Sequence, residues 1–172
     1  MRTTSDLNKR DGVQRVTGVS VYTRSSLKTK VLKDLTGISS SGFHQLWVQI
    51  QHNKLRSILL CVTYRPPDCP TNCFVDDFMD TYTQALTRGK KIFVVGDLNC
   101  DMLKILPETD TLSNLCSSLN LTQLLTSQPR VTMQSSSLID VIMASNTAIV
   151  VESGVVESRI SQTIIWYTQC LT

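Results

Sequence analysis

The sequence predicts a mixed α/β fold. Segments with the pattern of β-strands alternate along the chain with segments that have the spacing of amphipathic helices, which is typical of α/β proteins. Some of the strand segments are almost wholly apolar, as strands buried on both faces of a sheet are. The chain has 172 residues, of which 41% are hydrophobic and 18% charged. It can therefore bury a core, and it is unlike a charge-rich disordered chain.

Seven segments are predicted as strands from their alternating or continuous apolar pattern. They are residues 19–22, 46–51, 57–64, 91–96, 138–143, 148–156 and 164–167. Pro66 and Pro67 end the third of them, because proline cannot donate to a strand ladder.

Two helices are predicted from apolar spacing of three and four residues. The first covers Phe74 to Leu86, with Asn72 as its N-cap and with Asp76 and Asp77 complementing the helix dipole. Its apolar face consists of Phe74, Phe78, Tyr82, Ala85 and Leu86. The second helix has an apolar face made of Leu112, Leu115, Cys116 and Leu119.

Charge is distributed unevenly along the chain. The first 35 residues contain eight basic and three acidic side chains, whereas the net charge of the whole chain is +3. We expect residues 1–17 to be a basic, poorly ordered N-terminal segment, and residues 18–172 to form one domain. A basic front end is also compatible with phosphate contacts. No apolar run approaches the roughly 18 residues of a membrane span, and no secretory signal is recognisable.

The six cysteines do not form a CxxC pair, and no histidine follows at zinc-finger spacing. A structural zinc site is therefore not expected. Without an export signal, we expect an intracellular protein with reduced thiols.

The motif with the clearest chemistry is Gly96-Asp97-Leu98-Asn99, at the end of an apolar strand. In an extended chain, residues two apart point the same way, so Asp97 and Asn99 would project together beyond the strand. A carboxylate beside an amide can hold a hard divalent cation or orient a water. The alternative is an ordinary turn, because Gly, Asp and Asn are common turn formers.

Three further positions could carry chemistry. Asp140 lies inside an apolar strand, where a charge needs a partner unless it is on an open face. Tyr64 and Arg65 end another strand, where a hydroxyl and a guanidinium can contact a phosphate or simply extend to solvent. The two histidines, His44 and His52, are predicted to be surface residues.

Taken in order, seven motifs resemble the endonuclease/exonuclease/phosphatase domain of LINE-type (non-LTR) retrotransposons. They are GVSVYTR at 18–24, LWVQI at 46–50, VTYRPP at 62–67, VGDLNCDML at 95–103, PRVT at 129–132, SLIDVI at 137–142 and SGV at 153–155. The resemblance implies a four-layer α/β sandwich, in which two packed β-sheets are flanked by helices. It also implies a Mg²⁺-dependent phosphodiesterase that nicks DNA, and therefore a nuclear location if that role is retained.

The resemblance assigns roles to particular residues. Tyr64 matches a tyrosine near the scissile phosphate, Asp97 and Asn99 match the pair that positions water and stabilises the transition state, and Asp140 matches an aspartate that orients the catalytic histidine. Arg65 and Arg130 are the expected substrate contacts.

The chain also departs from the family pattern. Members have an early Asn and a metal-binding Glu, which Asp6 and Asn8 do not match in context. Members also end in Ser-Asp-His, where this chain reads Ser161-Gln162-Thr163. The expectation is a truncated, degenerate domain without its first strands, with weak or absent Mg²⁺ binding and little nuclease activity. The alternatives are a non-catalytic module that binds nucleic acid or a partner, and a remnant without a role.

Overall fold

The computed structural model describes residues 12–16, 18–52, 56–89, 91–125, 130–131, 136–137, 140–156 and 165–170. This part of the chain contains thirteen strands, two α-helices and one short 3₁₀ turn at Thr147–Ile149. The strands are β1 (Gly12–Val16), β2 (Val19–Thr23), β3 (Lys28–Val31), β4 (Gly37–Ile38), β5 (His44–His52), β6 (Arg56–Tyr64), β7 (Ile92–Asp97), β8 (Thr122–Gln123), β9 (Arg130–Val131), β10 (Ser136–Ser137), β11 (Asp140–Ala144), β12 (Val150–Val156) and β13 (Ile165–Cys170). The helices are α1 (Thr71–Leu86) and α2 (Pro107–Ser118).

Seven strands form one large sheet in the order β3–β5–β6–β7–β11–β8, with β4 pairing with the start of β5. All neighbours are antiparallel except the central pair β6 and β7, which are parallel. Parallel strands need a crossover connection, and α1 supplies it. Three two-stranded sheets, β1–β2, β9–β10 and β12–β13, complete the described pairings. The α/β class is confirmed, whereas the four-layer arrangement of two packed sheets stays a prediction.

One face of the large sheet is covered by α1 and α2, and we call it the helix face. Trp47, Cys61 and Val94 are buried on it. Opposite them lies an aromatic cluster in which neighbouring ring centroids are 4.9–6.4 Å apart. Its members are Phe43, Phe74, Phe78 and Tyr82. Burial of this apolar surface is the main stabilising term of the fold.

The other face of the sheet is partly covered by the β1–β2 hairpin, and we call it the hairpin face. Val19 and Val21 of β2 pack on Leu46, Val48 and Val62 of the sheet. The register pairs Val16 with Val19, and Gly18 has a φ of +91° in the turn between them. A positive φ in so short a hairpin turn favours glycine.

Part of the predicted N-terminal segment forms a strand. Residues 12–16 are β1, in which every residue from Gly12 to Val16 pairs with β2, and the bounds of the segment (1–17) and of the domain (18–172) stay predictions. Propensity alone did not indicate this strand, since its stability depends on a partner that lies further along the chain.

The helices confirm most of the predicted apolar faces. Phe74, Phe78, Tyr82 and Ala85 are buried in α1, and Leu112, Leu115 and Cys116 are buried in α2. Leu86 is exposed, contrary to the prediction. Neither helix is long and apolar enough to cross a membrane.

The start of α1 differs from the prediction. Pro70 is the N-cap, and Asn72 lies inside the helix. The first turn therefore contains no acidic side chain, and Asp76 and Asp77 lie beyond it. Pro70 has an extended backbone with ψ of 142°, which places the helix boundary just after it.

The predicted strands are confirmed with modest shifts of their ends. The segment predicted as 148–156 begins with the 3₁₀ turn and continues as β12, and the last predicted strand becomes β13. Residues 138 and 139 lie outside the described part, where β11 begins at Asp140.

Candidate functional site

Four polar side chains form a single row across the large sheet. The register pairs Tyr64 of β6 with Asp97 of β7, and Asp97 with Asp140 of β11. On the other side, Tyr64 pairs with His44 of β5. Paired residues point to the same face, and adjacent strands are about 4.8 Å apart. We call these residues, His44, Tyr64, Asp97 and Asp140, the transverse row.

The row lies at the edge of the hairpin face. Tyr64 packs against the apolar cluster of that face, as does Val95, two residues before Asp97. His44, Tyr64 and Asp97 are half-buried, whereas Asp140 is only 1% exposed. The row therefore combines three side chains within reach of a ligand with one carboxylate inside the protein.

Asp97 and Asn99 are brought together by a turn. Asn99 has a φ of +48°, in the left-handed region that asparagine tolerates better than most residues. Its backbone N–H donates to Asp97 Oδ1 at 2.9 Å. The turn thus brings the Asp97 carboxylate onto the Asn99 backbone, whereas the joint projection of the two side chains stays a prediction.

The residue before this turn must be a glycine. A Cβ at Gly96 would lie 1.9 Å from the carbonyl oxygen of Thr63 in the neighbouring strand. No side chain fits such a close approach of two backbones. Gly96 thus sets the spacing that places Asp97 beside Tyr64.

Arg65 anchors the turn from the helix face. Its backbone N–H donates to Asp97 O at 2.9 Å, and its carbonyl accepts from Asn99 Nδ2 at 2.7 Å. Its guanidinium donates to the carbonyl oxygens of Cys69 (3.0 Å) and Leu98 (3.2 Å) and to Thr71 Oγ1 (3.0 Å).

These contacts differ from the phosphate contact predicted for Arg65. The side chain is only 4% exposed, lies 3.6 Å from Glu108 Oε1, and has its guanidinium 6.0 Å from the ring centre of Phe74. Because its donors are used inside the protein, Arg65 positions the turn and is not placed to bind a substrate. The sequence did not reveal this, because the partners are carbonyl groups brought close only by folding.

Some predicted positions cannot be placed from the structure. Arg130 belongs to β9, but its side chain lies outside the described part, as do Gln162 and Thr163 entirely. The side chain of His52 is also outside it. Their predicted roles stay predictions.

His44 is the residue that the sequence analysis missed. Its ring makes an edge contact with Tyr64, with ring centroids 5.5 Å apart and planes at 80°. Gly18 of the hairpin turn lies close by, since a Cβ there would be 3.2 Å from His44 Nδ1. The signal that could have found it is its position two residues before the apolar Leu46–Val48 core, on the same face as Leu46.

The thiols near the site are not activated. Burial raises the pKa of Cys100, which follows the Asn99 turn, and it raises the pKa of Cys61 well above the ordinary value. A buried neutral thiol is a poor nucleophile. The five cysteines whose side chains the structure describes are all free: Cys61, Cys69, Cys73, Cys100 and Cys116.

The carboxylates of the row allow a limited test for a metal ion. In the described part of the chain, no three His, Cys, Asp or Glu side chains converge as a metal site would require. Asp97 and Asp140 do face each other across neighbouring strands. Mg²⁺ is commonly held by one or two carboxylates together with substrate phosphate. The described residues thus fit a Mg²⁺ ion only together with a bound phosphate.

Comparison with solved structures identifies the class of fold. No family model matches this chain, and no curated protein matches it in sequence. An endonuclease/exonuclease/phosphatase family protein from Bacteroides thetaiotaomicron matches with a TM-score of 0.53 at 14% identity, covering 87% of this chain and 62% of that protein. The chain therefore has the endonuclease/exonuclease/phosphatase fold.

A more similar structure is the endonuclease domain of TRAS1, a telomere-specific non-LTR retrotransposon. It superposes with a TM-score of 0.72 at 17% identity, covering 88% of this chain and 71% of that domain. D. rerio TDP2, solved with a single-stranded DNA product, matches with a TM-score of 0.53 at 10% identity, covering 84% of this chain and 67% of that one. Proteins with this fold include nucleases and a phosphatase.

Proposed function

We propose that this chain is a nuclease-like domain that binds a DNA phosphodiester at the transverse row and hydrolyses little of it. The observation that carries the proposal is the register of β6, β7 and β11, which aligns Tyr64, Asp97 and Asp140 on one face. These residues come from three separate sequence motifs. Their alignment on one face is what a shared site requires.

The proposed contacts follow from the chemistry of each side chain. The hydroxyl of Tyr64 can donate to a phosphate oxygen, and the amide of Asn99 has a second N–H besides the one that donates to Arg65 O. Asp97, whose Oδ1 accepts from the Asn99 backbone N–H, would accept a proton from a water. DNA is the preferred ligand because the TRAS1 domain has the same fold and is an endonuclease.

Mg²⁺ is proposed to join this site only together with the phosphate. Asp97 would hold it together with the phosphate, and Asp140, which faces Asp97 from β11 but is only 1% exposed, would add negative charge from inside the protein. A bound Mg²⁺ supplies Lewis-acid stabilisation of charge on a phosphoryl oxygen. We expect this binding to be weak.

Low activity is proposed because of residues 162 and 163. Gln162 cannot carry the negative charge of the family's Asp, and Thr163 cannot act as an imidazolium in place of its His. A positioned acid or base contributes about 10²–10⁴-fold to a rate, and losing members of one catalytic unit is nearly as severe as losing all. Binding through the remaining residues does not depend on either position.

The binding part of the proposal is tested with duplex DNA. Wild-type affinity should fall as salt is raised, because contacts between phosphates and the eight basic side chains of the first 35 residues would release counterions. Tyr64→Ala should weaken binding roughly tenfold through loss of a hydrogen bond and of packing. Tyr22→Ala is the matched control, since Tyr22 is an exposed tyrosine on β2 that points away from the sheet. Equal affinities for the two variants would contradict the assignment of the row.

The catalytic part is tested by nicking of supercoiled plasmid with and without Mg²⁺. We expect wild type and Asp97→Ala to nick at the same background rate. Mg²⁺-dependent nicking that Asp97→Ala abolishes would overturn the proposed low activity, and it would establish the row as an active site.

A further inference from the structure

Exposed lysines line one edge of the large sheet. Lys28 and Lys30 belong to β3, the first strand in the order of the sheet, and both side chains are exposed. The register pairs them with Gln51 and Gln49 of β5. These positions alternate with Val48, which packs under the β1–β2 hairpin. The two lysines therefore point to the same side of the sheet as α1, about 7 Å apart along the strand.

The loop after β3 and the end of α1 extend this group of basic residues. Arg88 follows α1 and forms an exposed ion pair with Asp34 in that loop. The pKa of Asp34 is lowered mainly by its hydrogen bond with Arg88, and the charge of Lys30 adds to the effect, so Lys30 lies near the pair. Lys33, in the same loop, is also exposed. We call Lys28, Lys30, Lys33 and Arg88 the basic margin.

The basic margin has an excess of positive charge. Residues 24–35 contain four basic side chains and a single acidic one, Asp34, which is already paired with Arg88. Among the described residues, no carboxylate forms an ion pair with any of the three lysines. Their charges are therefore available to an anionic partner.

The side chains beside these charges are polar. Gln51 is exposed, and Gln49 and Ser57 are half-buried on the same side of the sheet. Lysine, glutamine and serine all contact phosphate and sugar in protein–DNA complexes. Lysine and serine are depleted in interfaces between proteins, and binding to a lipid surface needs apolar side chains that enter the lipid. The margin therefore fits a phosphate backbone better than either of those partners.

The basic margin is separate from the transverse row. His44 of the row and Gln51 beside the margin are seven residues apart on β5, roughly 24 Å at about 3.4 Å per residue. The row also lies on the hairpin face, whereas Lys28 and Lys30 point to the opposite side of the sheet. A stretch of DNA at the margin is therefore not the stretch that reaches Tyr64.

We infer that the basic margin is a second DNA-binding surface, which holds the phosphate backbone of a duplex away from the candidate site. The inference rests on the proposed function for DNA as the ligand, and it adds a contact that has no sequence preference. Each lysine that meets a phosphate releases a counterion, so each should contribute about 0.9 to the slope of log affinity against log salt concentration.

The test measures this slope for a random-sequence duplex and the full chain. Lys33→Gln should make the slope shallower by about 0.9, because one phosphate contact is lost. Lys104→Gln is the matched control, since Lys104 is an exposed lysine that is already paired with Asp101, and it should leave the slope unchanged. The triple variant Lys28→Gln, Lys30→Gln, Lys33→Gln should lose about 2.7 of the slope.

Thermal unfolding and size-exclusion chromatography should show that the variants keep the wild-type Tm and size. Lysines at a sheet edge also prevent intermolecular strand pairing. If the triple variant aggregates and Lys33→Gln keeps the wild-type slope, the lysines protect the edge and the inference is wrong. Lys33 is outside β3, so its substitution leaves the strand edge itself unchanged.

The remaining outcomes separate the margin from the row. If wild type binds DNA and the lysine variants keep its slope, the margin is wrong and the row stands. If the lysine variants lose slope while Tyr64→Ala binds like wild type, the row is wrong and the margin stands. If wild type does not bind DNA, both are wrong. If the lysine variants lose binding to anionic lipid vesicles or to polyglutamate but not to DNA, the margin binds a different partner and the inference is wrong.

Discussion

The two faces of the large sheet differ in what covers them and in the side chains that they carry. The helix face is covered by α1 and α2 and contains the main apolar core, with four aromatic rings in mutual contact. The hairpin face has a smaller apolar cluster, and beyond it lies the transverse row. The same strands therefore supply stability on one side and candidate chemistry on the other. Substitutions on the helix face should change stability, and substitutions in the row should change binding with little effect on folding.

The largest expected effect comes from a substitution at Gly96, where the backbones of β6 and β7 approach each other closely. Gly96→Ala would place a Cβ 1.9 Å from the Thr63 carbonyl oxygen and force β6 and β7 apart. We expect a loss on the order of 3 kcal/mol or more, and thus little soluble protein. Gly37→Ala is the control, because nothing lies within 4 Å of its Cβ position. Circular dichroism and urea unfolding of both variants provide the comparison, and a stable Gly96→Ala protein would contradict the close approach.

A smaller loss is expected from Arg65→Met on the helix face. This change removes the donors to the buried carbonyl groups of Cys69 and Leu98. Each carbonyl left without a donor should lower the free energy of unfolding by about 1–3 kcal/mol. Arg88→Met is the control, since Arg88 makes an exposed ion pair with Asp34, and such pairs contribute little. Denaturant unfolding should separate the two variants clearly. Equal stabilities would show that the guanidinium is dispensable.

The protein should become less stable at alkaline pH because of two groups that are buried on the helix face. Burial raises the pKa of Tyr82 from 10 to about 12 and the pKa of Cys116 from 9 to about 11. The folded state holds both protons more tightly than the unfolded state does. The resulting stability is fully present below the unfolded values and is lost as the pH rises through the folded ones.

We therefore expect the free energy of unfolding to fall by about 3 kcal/mol for each group between pH 9 and 12. Urea unfolding across this range measures the fall. Tyr82→Phe should lose the hydrogen bond to Leu119 O, at about 1 kcal/mol, and should show a shallower decline above pH 10. If stability declines equally in Tyr82→Phe and in wild type, ionisation of Tyr82 is not the cause of the decline.

The smallest effect is expected in the row. Asp140→Asn removes one of two carboxylates that face each other in adjacent strands, where like charges are unfavourable. It also removes a charge from a side chain that is 1% exposed. Stability should stay within about 0.5 kcal/mol of wild type or increase. Asp80→Asn, an exposed aspartate of α1, is the control, and a clear drop in Tm for Asp140→Asn alone would break the proposed division between the two faces.

Sequence reasoning was most successful where burial is continuous along the chain. The apolar segments of β6 and β7 and the spacing of Phe74, Phe78 and Tyr82 predict elements that the structure confirms. It was least successful for short polar strands. Lys28–Val31 alternates between exposed and half-buried residues at the edge of the sheet, and its identity as β3 comes from pairing with β5. Such a strand depends on its neighbour more than on its own composition.

The candidate site was predictable in its residues but not in its geometry. Tyr64, Asp97, Asn99 and Asp140 were chosen from motif order, and their proximity depends on register between distant segments. The role of Arg65 could not be predicted, because its partners are brought close only by folding, whereas the face of His44 follows from its position two residues before Leu46. A sequence motif identifies the chemical groups, whereas the pairing of strands in the folded protein determines which of them lie close together.

The parallel pairing of β6 and β7 has a consequence for biosynthesis. These strands are separated by the whole of α1, and Asp140 enters the sheet from more than forty residues beyond Asp97. A ribosome-bound nascent chain can form the β5–β6 hairpin early. Asp97 and Asp140 can meet only after β11 has emerged from the exit tunnel. Until then, β7 has an unpaired edge that is open to intermolecular pairing, so chaperone demand should peak late in translation.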